Sequence, residues 1–200
     1  MLLTIGHSTR GLGSFLELLV SYQVTAVADV RSVPFSRWTP QFNQEGLRAA
    51  LKQRGIAYVF LGTELGARSD DPSSYVEGRV QYRRLAESKI FQQGIKRLLE
   101  GSETQRIAVM CAEGEPLDCH RTILVARELD SAGADVAHIL PDGSLEPHQA
   151  SIRRLMKRLR LLQPAFFESP QGLEDRAYAE QERRIAYVRT SGETEFEAQA

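Results

Sequence analysis

Arg106-Ile107-Ala108-Val109-Met110-Cys111, the polar run Ala112 to Arg121, the helical stretch Thr122 to Ala132, Gly133, and Ala134-Asp135-Val136-Ala137-His138-Ile139-Leu140 together decide the fold. The first run is short, apolar and rich in β-formers, as a buried strand requires. The next stretch has helical spacing and closes at a glycine, and a second short apolar run follows it. Strand, helix and strand in this order build a parallel sheet covered by helices.

The same rhythm extends upstream. Leu2-Leu3-Thr4-Ile5 reads as a first strand, and Phe15, Leu16, Leu18, Leu19 and Tyr22 give a helical face with Ser14 as its N-cap. Thr25 to Val30 makes a second strand, Gln44 to Arg54 a helix ended by Gly55, and Ile56 to Phe60 a third strand. A loop carrying Gly62, Gly66, Asp70, Asp71 and Pro72 precedes a helical region over 80–100 that Ser88 divides. The expected fold class is α/β: a single three-layer domain over residues 1–163, its mostly parallel five-stranded sheet flanked by helices, with a peripheral, partly helical C-terminal arm over 164–200. Right-handed crossovers gather the loops after the strands at one edge, so His7, Arg31, Gly62, Cys111 and Pro141 are expected there together.

Composition narrows the function. With 25 Lys+Arg against 26 Asp+Glu the net charge of -1 argues against a global field for nucleic acid or membrane, so any such partner must meet a local patch. No stretch approaches the length of a membrane span and the start has no leader pattern, so a cytoplasmic protein is expected. Two cysteines among 200 residues are too few for a disulfide scaffold and are read as thiols. One local patch does occur: Arg153, Arg154, Lys157, Arg158 and Arg160 lie opposite an apolar stripe of Ile152, Leu155, Met156, Leu159 and Leu162. It is either the solvated side of a docking helix or a contact for nucleic acid or another acidic partner. Beyond it, residues 168–200 hold eight acids against four arginines, with a helix near Glu174 to Val188, and read as an arm that packs on another subunit of a homo-oligomer.

Three segments carry reactive groups. Cys111 ends an apolar strand, Asp118 falls at an N-cap position, and Cys119, His120 and Arg121 occupy the first helical turn, where backbone N–H groups favour a thiolate or a bound anion. Glu113, Glu115 and Asp118 oppose that field. Asp29, Arg31, Ser32 and Ser36 leave the second strand as anion-binding groups, although Asp29 and Arg31 can equally form a structural pair. His7 and Ser8 follow the first strand as a base and a donor. Metal binding by Cys111, Cys119, His120 and His7 is the other use of these groups. No pair among them has a recognised ligand spacing, so no metal and no cofactor is predicted.

In combination these residues resemble the family known as domain of unknown function 488. The resemblance rests on Thr4-Ile5-Gly6-His7-Ser8, Asp29-Val30-Arg31-Ser32-Val33-Pro34 with Ser36, Leu61-Gly62 with Leu65-Gly66, Cys111-Ala112-Glu113 with Pro116, Cys119-His120-Arg121, and His138-Ile139. It spans about Leu2 to Leu140 and implies a shared site at these positions, with no settled reaction. Ala67 stands where many members resemble Leu-Gly-Gly. A weaker likeness is to rhodanese-type sulfurtransferases and their phosphatase relatives, but position 117 is Leu and the arginine arrives at 121, a loop too long for their anion cradle.

The expectation is an enzyme acting on a small anionic or nucleotide-like ligand. Cys111 or Cys119 is its nucleophile, His7 or His120 its acid/base with Glu113 as the alternative, and Arg31 and Arg121 are its clamps. The competing expectation is a non-catalytic nucleotide or nucleic-acid binding module, with sulfur or phosphoryl transfer a third.

Overall fold

The runs Leu2–Gly6, Ala26–Asp29, Ile107–Cys111 and Val136–Ile139 are buried at every position, as strands covered on both faces must be. A computed structural model of the chain describes residues 1–161 and 169–189. Its elements begin with β1 (Leu2–Gly6), α1 (Leu12–Ser21), β2 (Ala26–Asp29), α2 (Gln44–Gln53), β3 (Ala57–Phe60) and the short α3 (Gly62–Leu65). A hairpin of β4 (Tyr75–Val76) and β5 (Arg79–Val80), then α4 (Tyr82–Glu87) and α5 (Lys89–Ser102), lead to β6 (Ile107–Cys111). A π-helical segment over Arg121–Ala126 runs into α6 (Arg127–Ser131), followed by β7 (Val136–Ile139), β8 (Leu145–Pro147), α7 (His148–Arg158) and α8 (Pro170–Ile185).

The sheet order is β3-β2-β6-β1-β7-β8, parallel except for β8. The fold is the expected α/β class, with a sixth strand added. Leu145-Glu146-Pro147 is too short for an alternation signal, and its proline suits only an edge. Period-two alternation divides the core. Leu3, Ile5, Val27, Ala108 and Met110 pack under α1 and α2, while Ala28, Val109 and Cys111 pack against α5, the π segment, α6, α7 and α8. After β2 the chain leaves for the α2 face and after β6 for the opposite one. A crevice therefore opens between the carboxyl ends of these neighbouring strands, the usual ligand position in open α/β sheets.

Several ends differ from expectation. Gly11, not Ser14, precedes α1, and the Ser14 hydroxyl donates back to Gly11 O at 3.0 Å. Ser88 does divide the 80–100 region, its Oγ accepting from Phe91 N to cap α5. The last helix is Pro170–Ile185 rather than 174–188, because Ser169 caps it and Pro170 starts it. Leu162 and the 163/164 boundary lie outside the described residues, as does the polar end from 190 onward. After α8 the chain pairs with the β4–β5 hairpin: Val80 N donates to Tyr187 O at 2.9 Å and Arg189 N to Gly78 O at 2.8 Å.

A buried polar chain fastens α7 and α8 to the sheet. Thr4 Oγ1 meets His138 Nδ1 at 2.7 Å, His138 Nε2 meets His148 Nδ1 at 2.9 Å, and His148 Nε2 meets Tyr178 Oη at 2.9 Å. If Thr4 donates to His138, each imidazole accepts at Nδ1 and donates at Nε2, so an added proton sets two donors against each other. Burial holds both imidazoles neutral, pushing His148 down to about 4 and His138 well below the ordinary 6.5. An unfolded histidine takes its proton near 6.5, so this stabilisation is complete above that pH and is lost as pH falls toward 4. His148 alone contributes about 3 kcal/mol. Urea denaturation at pH 7 and pH 4.5 is expected to show the loss, with a smaller difference in His148→Gln; an equal pH dependence in both proteins would remove the chain as its cause.

Candidate functional site

Beyond Cys111 the chain continues beside the end of β1, with His7 N donating to Cys111 O at 3.0 Å and Ser8 N to Ala112 O at 2.8 Å. The approach is so close that a Cβ on Gly6 would lie 1.7 Å from Glu113 O, and only glycine fits. Arg121 closes the turn from the other side. Fully buried, it donates from Nη1 to Glu113 O at 2.6 Å and from Nη2 to Gly114 O at 2.9 Å. Outside, Arg154 pairs with Glu115 and Glu146, and Arg158 with Asp118.

Cys119, not Asp118, caps the following helix. Its backbone is extended, its carbonyl accepts from Thr122 N and Ile123 N, and its Sγ accepts from Arg121 N at 3.4 Å. Asp118 turns outward instead, to Arg158 and to Gln181 of α8.

The strand end and the capped turn bring Cys111, Glu113, Cys119 and His120 together. Glu113 Oε2 lies 3.1 Å from Cys111 Sγ and 2.9 Å from Cys119 Sγ, and accepts from whichever sulfur carries a proton. His120 Nδ1 lies 3.6 Å from the first sulfur and 3.9 Å from the second. Its Nε2 lies 3.1 Å from Val30 O, and because a carbonyl only accepts, Nε2 carries a proton and Nδ1 is the atom that titrates against the thiols. The two thiols differ. The hydrogen bond with Cys119, together with burial, pushes Cys111 well above the ordinary thiol range. Burial opposes ionisation of Cys119 too, yet the hydrogen bond from Cys111, the Arg121 charge and His120 hold it well below that range. Burial and the adjacent Cys119 raise Glu113, and Cys119 raises His120 against the effect of its burial.

This cluster forms the floor of a cavity of about 290 Å³, with Arg31, Ser32, Arg68 and Tyr187 among its walls. Ser32 Oγ accepts from Arg68 N at 3.1 Å, and the Arg68 guanidinium lies 4.3 Å from the centre of the Tyr187 ring. A wider groove of about 920 Å³ adjoins it and shares Ser32, Val33, Arg68 and Tyr187. Sequence reasoning passed over Arg68 and Tyr187. Arg68 follows the Leu65-Gly66 pair, a usable signal, whereas Tyr187 reaches the wall only through the course of α8.

The other expected residues are placed differently. Asp29 is fully buried, bound by the backbone N, Nε and Nη2 of Arg31 and by the Tyr58 hydroxyl at 2.7 Å, so the structural pair is the arrangement observed. Arg31 also donates to Phe42 O, yet it reaches the cavity wall. His7 is stacked on Phe42 with centroids 4.3 Å apart, its Nδ1 on Ser8 O and its Nε2 3.3 Å from Arg31; it does not line the cavity. Ser8 lies beyond Gly114, and Ser36 Oγ accepts from Trp38 N and Thr39 N as a turn residue. Arg121 gives Nη1 and Nη2 to backbone carbonyls, its buried Nε has no hydrogen-bond partner among the described residues, and it does not line the cavity. Of the basic patch, Arg154 and Arg158 are engaged within the chain.

A family model described as "Domain of unknown function DUF488" matches residues 11–127, a span holding the whole Cys-Glu-Cys-His cluster and Arg121, though not His7, Ser8 or β7. Searches of curated proteins and of solved structures return no match.

Arg121 has two separable effects, hydrogen bonding of the turn and a positive charge beside Cys119. Arg121→Met leaves two carbonyls unpaired and is expected to cost about 2–3 kcal/mol, seen in the urea midpoint. It should also slow alkylation of Cys119 by iodoacetamide at neutral pH, because the thiolate loses the Arg121 charge that favours it. Arg121→Lys should lose stability but retain more of the alkylation rate. Equal rates in folded wild type and Arg121→Met would show that the charge is irrelevant to the thiol.

Proposed function

As this chain belongs to the DUF488 family, a domain family of unknown function, we propose that it is an enzyme that binds a small anionic ligand and transforms it over the Cys111–Glu113–Cys119–His120 cluster. One observation carries the reading: four groups capable of nucleophilic, acid/base or ligating chemistry meet at the floor of a cavity whose walls hold two arginines and a hydroxyl. Cys119 is the electron-pair donor, Glu113 the proton carrier nearest both sulfurs, and Arg68 with Ser32 the anion-facing wall. Arg31 contributes less charge, since Asp29 neutralises it. The cavity volume suits a phosphorylated or carboxylated metabolite, with the adjoining groove available for a nucleoside-sized remainder. Free thiols in both positions fit a reducing compartment, the cytoplasm.

The binding-module alternative relied on the basic face of α7. It is the weaker reading, because Arg154 and Arg158 hold Glu115, Glu146 and Asp118 around the site loop. Sulfur or phosphoryl transfer by a rhodanese-type loop is weaker too, since the arginine after Cys111 is bound to carbonyls rather than open to an anion.

The test begins with thermal unfolding in inorganic phosphate, pyrophosphate and adenosine monophosphate. At about 100 times its dissociation constant a bound anion adds about 2.7 kcal/mol, which corresponds to a rise of roughly 5–10 °C for a chain of this size. Arg68→Ala should lose most of the rise. Product analysis over a panel of phosphorylated and carboxylated metabolites should then find turnover that Cys119→Ser lowers by at least about a hundredfold, with the thermal shift retained. Full rates in both Cys111→Ser and Cys119→Ser, or no stabilising anion, would falsify the reading.

A further inference from the structure

We propose that Cys111, Cys119, His120 and Glu113 bind one divalent metal ion of the zinc type at the cavity floor. The inference deepens the reading of this cavity as a catalytic centre and rests on it for its chemistry, while the site itself is read from donor geometry. Sγ of both cysteines, Nδ1 of His120 and a carboxylate oxygen of Glu113 all lie within 4.8 Å of one another. A tetrahedral ion with bonds of about 2.0–2.3 Å spaces its donors by roughly 3.3–3.8 Å. The carboxylate oxygen is 2.9 and 3.1 Å from the sulfurs, and the imidazole nitrogen 3.6 and 3.9 Å. These four separations lie within about half an ångström of the tetrahedral range, and no pair of donors is more than 4.8 Å apart, so modest side-chain shifts centre an ion among the four.

The surroundings match a ligating set. Val30 O accepts from His120 Nε2, the backbone support that fixes a metal-bound imidazole, and it turns Nδ1 toward the sulfurs. The backbone N–H of Arg121 donates to Cys119 Sγ, the contact expected of a ligating thiolate. Two soft sulfurs, one imidazole and one carboxylate select zinc over magnesium or calcium. His7 is excluded, because both of its nitrogens and its ring are engaged elsewhere. Cys111 and Cys119 are seven residues apart in between, outside the usual ligand spacings, because they come from a strand end and a helix cap that the sheet brings together. On binding, the thiol protons leave to solvent and the ion takes the two sulfur lone pairs. Glu113, whose residue reaches solvent although its carboxylate faces the sulfurs, while the other three are buried, is the donor that an incoming anionic oxygen displaces, which makes the ion a Lewis acid at the floor of the cavity.

The experiment uses the full chain, stripped with chelator and titrated with Co²⁺, then with Zn²⁺ as competitor. One equivalent of cobalt should produce the visible bands of a tetrahedral site and the near-ultraviolet thiolate-to-cobalt transition, and zinc should remove both. Glu113→Gln should weaken zinc by at least roughly tenfold, and Cys119→Ser should roughly halve the intensity of the thiolate transition, leaving the part due to Cys111. An absent thiolate transition in folded protein, or cobalt affinity unchanged in Glu113→Gln and Cys119→Ser, overturns the proposal. Metal binding and catalysis fail separately: turnover that survives complete metal removal rejects the catalytic ion and leaves the thiol enzyme standing, whereas tight zinc without anion binding or turnover keeps the metal site and rejects the enzyme.

Discussion

A guanidinium sealed from water is tolerable only if its donors are used and its charge is answered. Arg121 meets the second by lying beside Cys119 and the first through its two terminal nitrogens, which hold the carbonyls of Glu113 and Gly114, while its buried Nε has no hydrogen-bond partner among the described residues. These contacts fold the 112–118 loop back over the end of β1, where Gly6 has no side chain to obstruct it. Without that fold Glu113 has no reason to lie between the two sulfurs. The residue type that suggested an anion clamp is therefore the internal brace on which the rest of the site is built.

Topology supplies the second half of the site. β2 and β6 are neighbours whose connections leave for opposite faces, and the resulting crevice receives Arg31 and Ser32 from one strand and Cys111 and Glu113 from the other. The Asp29–Arg31 pair with Tyr58 stiffens the first of these loops. Arg154 and Arg158 pin the second from outside, so two of the five basic residues on that face serve local structure.

The C-terminal helix belongs to the same construction. Ala177, Tyr178 and Gln181 are buried, Gln181 donates to Leu117 O at 2.8 Å, and Ile185 and Tyr187 stand on the cavity wall. Tyr178 ends the histidine chain that starts at Thr4 in the sheet. The helix that leads to the cavity wall is thus fastened to the sheet through two buried imidazoles.

The sequence by itself determined the fold class, because apolar runs of strand length alternating with amphipathic helices leave few alternatives to a parallel α/β sheet. It also determined where the reactive groups lie, since Cys111 must emerge at a strand end and Cys119 near a helix start. Three things were illegible. Roles within one residue type depend on burial: Arg31 and Arg121 look alike as letters, yet one reaches the cavity wall and the other is sealed beneath it. The choice of His120 over His7 as the sulfurs' partner depends on which carbonyl, Val30 or Ser8, each imidazole meets. The convergence of four ligating atoms depends on distances across the sheet edge, which spacing along the chain does not encode. Local propensity and periodicity act within a turn or two of chain, so they are written in the sequence; contacts between a strand end, a helix cap and a distant C-terminal segment exist only once the sheet is assembled, and tertiary structure alone decides them.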